Sequence, residues 1–318
     1  MKTAFFASDE IALGATEFLK NSPDFPLACV VSNPDRPKGR GKKLSPNAVS
    51  QWAIENGIEL MRPEGGVDDA TVARLRELGV ELIIVMAYGC MLKSNVLEYG
   101  KYPCLNLHGS ILPKYRGASP IETAIALGET RTGVSLMRIV KKMDAGAVCD
   151  VEEIEIAADD TATSLRGKFR DASPELLRRN LPKIADGSAV FLEQDEAAAT
   201  YTRKFDKSDM LVDFSADGKT IRDRIRALGF GIFECGGDAI KVSGAYFERT
   251  PKPPSTVGKV LAASGADGIK IACADGWVGF ANLQKPCAKM MSAKDFFAGY
   301  KIEIGTVLKS TPYKSLLR

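Results

Sequence analysis

The sequence predicts a doubly wound α/β domain followed by a small β-barrel domain. Strand-like apolar runs alternate with helical stretches from residue 2 to about residue 184. Several of these runs are continuously apolar, as in Leu27-Ala28-Cys29-Val30-Val31 and Val80 to Ala87. That is the pattern of parallel strands covered on both faces. After Leu228 the pattern changes to short apolar pieces cut by Gly, Asp and Pro, the signature of a small barrel. A length of 318 residues suits two domains. The expected division is 1–189 for the α/β domain, 190–207 for a linker and 208–318 for the barrel.

Lys2 to Ala7 reads as the first strand and Asp9 to Lys20 as a helix. Ala7-Ser8-Asp9-Glu10 carries no Gly-x-Gly-x-x-Gly, so nothing supports a dinucleotide. Asn33 to Pro46 holds three prolines and two glycines, which exclude regular structure there. Its five cations (Arg36, Lys38, Arg40, Lys42, Lys43) against Asp35 leave a net charge of +4. Such a segment binds phosphates or is simply a solvated insertion. Helices are expected at Asn47–Asn56, with Asn47 as N-cap, and at Val67–Leu78. Val80–Ala87 is a strand running into Tyr88-Gly89-Cys90-Met91. Ser119–Leu127 is a short helix with Pro120 in its first turn, and Gly133–Ile139 a strand. A strand from Val148 and a helical stretch over about Thr161–Ile184 follow, and Pro174 is expected to divide that stretch in two. Ser215–Leu228 reads as a helix. Gly218-Lys219-Thr220 is not a phosphate loop, because Asp213 stands where the first glycine belongs.

Composition narrows the function classes. Apolar residues at 45% and charged residues at 26% are ordinary for a globular protein, and no apolar run is long enough to span a membrane. Seven cysteines without a Cys-x-x-Cys, and a single histidine, argue against a disulfide framework and a structural metal, and for the cytoplasm. Residues 205–318 hold 17 Lys+Arg against 12 Asp+Glu, whereas residues 1–204 hold 26 against 28. The basic second half is a mild pointer to an anionic partner.

The single histidine, His108, lies in Leu105-Asn106-Leu107-His108-Gly109-Ser110-Ile111-Leu112-Pro113. Asn106 and His108 are two apart, so on a strand they leave by one face. Gly109, Pro113 and Gly117 then force an irregular loop, the place where an open α/β sheet carries its chemistry. On this stretch alone a hydrogen-bonded structural histidine accounts for the residues as well as a catalytic one does. Asp144 adds a carboxylate on another loop after a predicted strand. An amide, an imidazole and a carboxylate without a Gly-x-Ser-x-Gly nucleophile suit direct transfer between two bound substrates.

These residues resemble those of the methionyl-tRNA formyltransferase family. The matching pieces are Asn106-Leu107-His108 with Ser110-Ile111-Leu112-Pro113 and Arg116-Gly117, Gly133-Val134, Asp144 with Gly146, and Ala87-Tyr88-Gly89. Asn33–Pro46 and Leu283-Gln284 through Met291-Ser292-Ala293 match as well, so the likeness covers nearly the whole chain. It implies a Rossmann-like formyltransferase domain, then an OB-fold-like domain that holds tRNA. It implies 10-formyltetrahydrofolate as formyl donor, bound by Tyr88, Gly89, Ser110, Ile111, Leu112 and Pro113. Initiator methionyl-tRNA is the implied acceptor, contacted by Arg36, Lys38, Arg40, Lys42 and Lys43. Asn106 and His108 would stabilise a tetrahedral intermediate, with Asp144 assisting proton transfer. A monomer without a metal is expected. The chain departs from the family pattern at Ala7-Ser8, Lys114-Tyr115, Met143-Asp144-Ala145 and Gly229–Phe233. A formyltransferase acting on an amino-sugar nucleotide or on glycinamide ribonucleotide would share the catalytic set without needing the basic loop. A non-catalytic RNA-binding protein would not need the set at all.

Overall fold

The computed structural model describes residues 1–38, 41 and 43–318. They form two compact units. The first comprises Met1–Gly117, Arg131–Glu155 and Arg166–Tyr201, the second Ala118–Thr130, Ile156–Leu165 and Thr202–Arg318. No helix is long and apolar enough to cross a membrane among the described residues.

The strands of the first unit are β1 (Thr3–Ala7), β2 (Leu27–Val31), β3 (Arg36–Lys38), β4 (Lys43–Ser45), β5 (Glu59–Met61), β6 (Leu82–Met86), β7 (Leu105–His108), β8 (Arg116–Gly117), β9 (Arg131–Arg138) and β10 (Val148–Glu155). Seven of them build one sheet in the order β10-β9-β7-β6-β1-β2-β5. The pairs from β7 through β6, β1 and β2 to β5 are parallel. β1 and β6 are buried along their whole length, as expected for central strands covered on both faces. β9 and β10 run antiparallel to their neighbours, because they are joined as a hairpin rather than by a crossover helix.

Helices α1 (Leu13–Lys20), α2 (Ala48–Glu55), α3 (Asp69–Glu77) and the short α4 (Ser94–Leu97) connect the parallel strands. Asn47 caps α2 by accepting from Ser50 N at 2.9 Å, and Asp68 caps α3 through Thr71 N at 2.8 Å. The sequence reading excludes regular structure from Asn33–Pro46, but β3 and β4 pair there, with Arg36 opposite Ser45 and Pro37 opposite Leu44. A two-stranded ladder has only edge strands, where a missing N–H is tolerated.

Helix α5 (Pro120–Ala126) belongs to the second unit, and α6 (Ala162–Asp186) follows. Pro174 does not divide α6, which is continuous through Pro174 and Pro182. A proline in a helix interior costs about 3 kcal/mol and leaves the carbonyl four residues earlier without its donor. For Pro174 that carbonyl is Arg170, and it lies against Gly14 of α1, where a Cβ would stand 2.0 Å from the oxygen. Phe169, Leu176, Leu177 and Leu181 are fully buried on the helix. At roughly 1.5–3 kcal/mol each, their burial outweighs the broken ladder.

The second unit contains β11 (Tyr201–Thr202) at its edge, α7 (Gly218–Leu228), β12 (Gly231–Cys235), β13 (Asp238–Arg249), β14 (Val260–Ser264), β15 (Gly268–Cys273), β16 (Gly276–Gln284), β17 (Met291–Ser292) and α8 (Ala293–Gly299). Its antiparallel sheet has the order β12-β13-β16-β15-β14, with β17 added to β16. One core joins Phe233, Ile240, Val260, Ile271 and Phe280 of the strands to Ile221 and Ile225 of α7 and Phe296 of α8. The short strands expected after Leu228 are present, and helices α7 and α8 share their core. Helix α5 packs on α7, and Arg226 of α7 donates to the carbonyls of Ala157 and Asp160 at 3.1 and 2.9 Å.

Candidate active site

β7 carries the first two candidate side chains. Asn106 pairs with Val85 of β6 on one side and Met137 of β9 on the other, and His108 stands opposite Ser135. Their spacing of two puts both on one sheet face. His108 is only 6% exposed, and its Nε2 lies 3.0 Å from the Tyr115 carbonyl. A carbonyl can only accept, so Nε2 carries the proton in this contact. Nδ1 is turned toward Asp144 Oδ2 at 3.7 Å. The Asn106 side chain is half-buried and makes no hydrogen bond among the described residues, so its donors are available to a substrate oxygen.

Asp144 sits in the loop that joins β9 to β10. Its backbone is left-handed, with φ of +51°. Its Oδ2 accepts from Gly117 N at 2.8 Å, which aims the carboxylate at the end of the His108 loop. Two residues on, a Cβ at Gly146 would stand 1.9 Å from the Arg138 carbonyl, so only glycine lets the loop close this tightly. Asn106 and His108 thus come from β7 and Asp144 from the β9–β10 loop, with the carboxylate facing the imidazole.

The loop after β7 is held from beneath. Ser135 Oγ donates to the Ser110 carbonyl at 2.6 Å and accepts from Leu112 N at 3.1 Å. Ser110 is itself fully buried, with its hydroxyl donating to the Lys114 carbonyl at 2.6 Å. Its side chain therefore shapes the loop from inside, whereas Ile111 and Pro113 are half-buried and Leu112 is buried. The peptide bond between Leu112 and Pro113 is cis. Arg116 is fully buried, with Nε and Nη2 on Gln194 Oε1 at 3.0 and 2.9 Å, Nη2 on Glu196 at 3.0 Å and Nη1 on the Tyr201 hydroxyl at 2.7 Å.

Sequence reasoning missed Ser135, Gln194 and the anchoring role of Arg116. A serine within an apolar strand and a glutamine 78 residues from its arginine carry no local pattern.

Tyr88 and Gly89 follow β6, the neighbour of β7. Tyr88 is buried against Phe6 with ring centroids 5.6 Å apart, and burial pushes its phenol up to about 12. Its hydroxyl has no partner among the described residues, while its carbonyl accepts from Asn33 Nδ2 at 2.5 Å. Gly89 is exposed with φ of +80°. Of the basic candidates, Arg36 and Lys43 lie exposed on β3 and β4 and make no ion pair among the described residues. Lys38 ends β3, and Arg40 and Lys42 lie outside the described residues. No group of three or more His, Cys, Asp and Glu is placed to hold a metal ion among the described residues.

Comparison with known proteins adds an independent line. Residues 1–181 match the family model for formyl transferase, and residues 204–301 the model for the formyl transferase C-terminal domain. The methionyl-tRNA formyltransferase of Acetivibrio thermocellus is 34% identical over 314 residues, covering 97% of this chain and 99% of the relative. That of Delftia acidovorans is 33% identical over 319 residues, covering 97% of both. Among solved structures, the N-formyltransferase from Helicobacter canadensis, in complex with folinic acid and dTDP-3-aminofucose, aligns with a TM-score of 0.62 at 20% identity, over 90% of this chain and 99% of that one. Methionyl-tRNA formyltransferase from Clostridium thermocellum aligns with a TM-score of 0.55 at 17% identity, over 78% and 94%. At these identities the structural likenesses speak for the fold.

Proposed function

The chain belongs to the methionyl-tRNA formyltransferase family, and on that premise we propose that it transfers the formyl group of 10-formyltetrahydrofolate to the α-amino group of initiator methionyl-tRNA in the cytoplasm, as a monomer. The observation that carries the reading is the unpartnered Asn106 amide beside His108 on one face of β7, with the Asp144 carboxylate 3.7 Å from the imidazole.

The amine nitrogen attacks the formyl carbon, and the C=O electrons move onto oxygen. Asn106 donates to that oxygen, a contact worth more in the tetrahedral species than in the planar formamide. His108, its Nε2 engaged by the Tyr115 carbonyl, presents Nδ1 to the same region. Asp144 orients His108 and takes the proton released by the amine. Collapse then breaks the bond to N10 of the folate, which receives a proton. Tyr88, Gly89 and the Ser110–Pro113 loop line the folate side. Within the proposal, residues 1–189 carry the chemistry, 190–207 connect, and 208–318 with the basic β3–β4 arm hold the tRNA phosphates.

The test is formyl transfer from 10-formyltetrahydrofolate to charged initiator tRNA, with an amino-sugar nucleotide assayed in parallel. Transfer to the tRNA alone supports the reading. Transfer to the sugar alone would keep the catalytic set and discard the tRNA assignment.

A further inference from the structure

Gln194 bridges the Asp144 loop and the buried Arg116 of β8. Its Nε2 donates to the carbonyls of Asp144 and Gly146 at 2.8 and 2.7 Å. Its Oε1 accepts from Nε and Nη2 of Arg116 at 3.0 and 2.9 Å. Two donors and two acceptor sites are all that a primary amide has, and all are used. Glu196, two residues on, repeats the pattern, pairing with Arg116 at 3.0 Å and with Lys142 of the Asp144 loop at 2.5 Å. Composition reads 190–207 as a linker, yet residues 194 and 196 join Arg116 of β8 to the loop before β10.

The Asp144 backbone gives this contact a purpose. A left-handed φ of +51° at a non-glycine residue is strained and persists only where its surroundings impose it. The carbonyls on either side of Ala145 are the groups whose direction that conformation sets, and Gln194 holds both. We infer that Gln194 is a positioning residue for Asp144, fixing its carboxylate beside His108 by tying its loop to the buried Arg116. Both contacts call for a side-chain amide. Glutamate would hold the guanidinium but has no N–H for the two carbonyls, and lysine or arginine would serve the carbonyls but repel Arg116. The inference rests on the reading of Asp144 as the group that takes the amine proton.

The full chain is tested as Gln194→Glu, Gln194→Asn and Asp144→Asn, with thermal midpoint, kcat, and KM for 10-formyltetrahydrofolate and methionyl-tRNA measured for each. Gln194→Glu keeps the Arg116 contact and puts a carboxylate oxygen in place of the donors to the Asp144 loop. The expected result is a kcat lowered about 10- to 100-fold, the scale of a 1 Å misplacement, with both KM values within about threefold. Gln194→Asn keeps both bonding modes one methylene short and is expected to recover part of that kcat. A Gln194→Glu protein with wild-type kcat, beside an inactive Asp144→Asn protein, overturns the inference and spares the reading of Asp144. A fully active Asp144→Asn protein overturns the reading itself. Should Gln194→Glu fail to fold, Gln194→Asn decides: lowered kcat at unchanged KM supports positioning, and a lower midpoint with wild-type kcat shows a merely structural residue.

Discussion

Ser135→Ala isolates the support beneath the loop after β7. The hydroxyl is fully buried and serves two backbone groups, the Ser110 carbonyl at 2.6 Å and the Leu112 N–H at 3.1 Å. Alanine fits the space and supplies neither partner. A buried donor or acceptor left unpaired costs about 1–3 kcal/mol, so two together cost at least ~2 kcal/mol. For a unit of this size, that lower bound corresponds to a drop of roughly 4–8 °C in melting midpoint. The same change frees Leu112 and Ser110 to move relative to His108, so kcat is expected to fall as well. A calorimetric scan reads the midpoint, and hydrogen exchange at the Leu112 amide reads the loop. An unchanged midpoint together with undiminished protection at Leu112 would refute the argument, since it would mean that the loop does not depend on Ser135.

Gly146→Ala should cost about 10²-fold in kcat, because its Cβ would stand 1.9 Å from the Arg138 carbonyl and the Asp144 loop must shift to admit it; full activity would show that the loop tolerates displacement. Arg36→Ala and Lys43→Ala, like Arg40→Ala and Lys42→Ala, should each weaken tRNA binding and reduce the salt slope by about one while leaving folate affinity alone, measured by titration at several salt concentrations; a loss of folate affinity instead would misplace the arm. Arg116 first, and then Lys142, hold the Glu196 carboxyl down at about 2 from an ordinary 4.5. A depressed folded-state value stabilises the fold above the unfolded one, and that contribution is lost as pH falls from about 4.5 toward 2. The midpoint difference between wild type and Glu196→Gln should therefore shrink across that range, and a constant difference would count against the ion pair.

Most of the fold can be read from local pattern. The apolar runs at Leu27–Val31 and Leu82–Met86 are strands because continuous burial leaves no other use for them, and Asn47 caps its helix because an amide oxygen there meets a free N–H. Misreadings arise where a local rule meets a tertiary partner. Pro174 breaks a helix in isolation, but here the carbonyl it frees rests on Gly14 and the helix face is anchored by Phe169 and Leu176. Pro37 argues for an irregular loop, yet a ladder of two edge strands tolerates it. The site divides the same way. Asn106, His108 and Asp144 stand out as polar residues at strand ends, whereas Ser135, Gln194 and Arg116 matter through bonds to groups far along the chain, and no spacing marks them.

The path of the chain through the second unit bears on how the protein is made. α5 is synthesised with the first half of the molecule, but the helix it packs on, α7, begins only at Gly218, about ninety residues later. At translation rates of 5–20 residues per second, α5 waits roughly 5–20 s on the ribosome without α7. During that interval the face of α5 that packs on α7 is uncovered apolar surface of the kind that promotes aggregation. Residues 202–318 expressed alone would begin life with the complementary face of α7 bare, so that fragment is expected to aggregate where the whole chain does not.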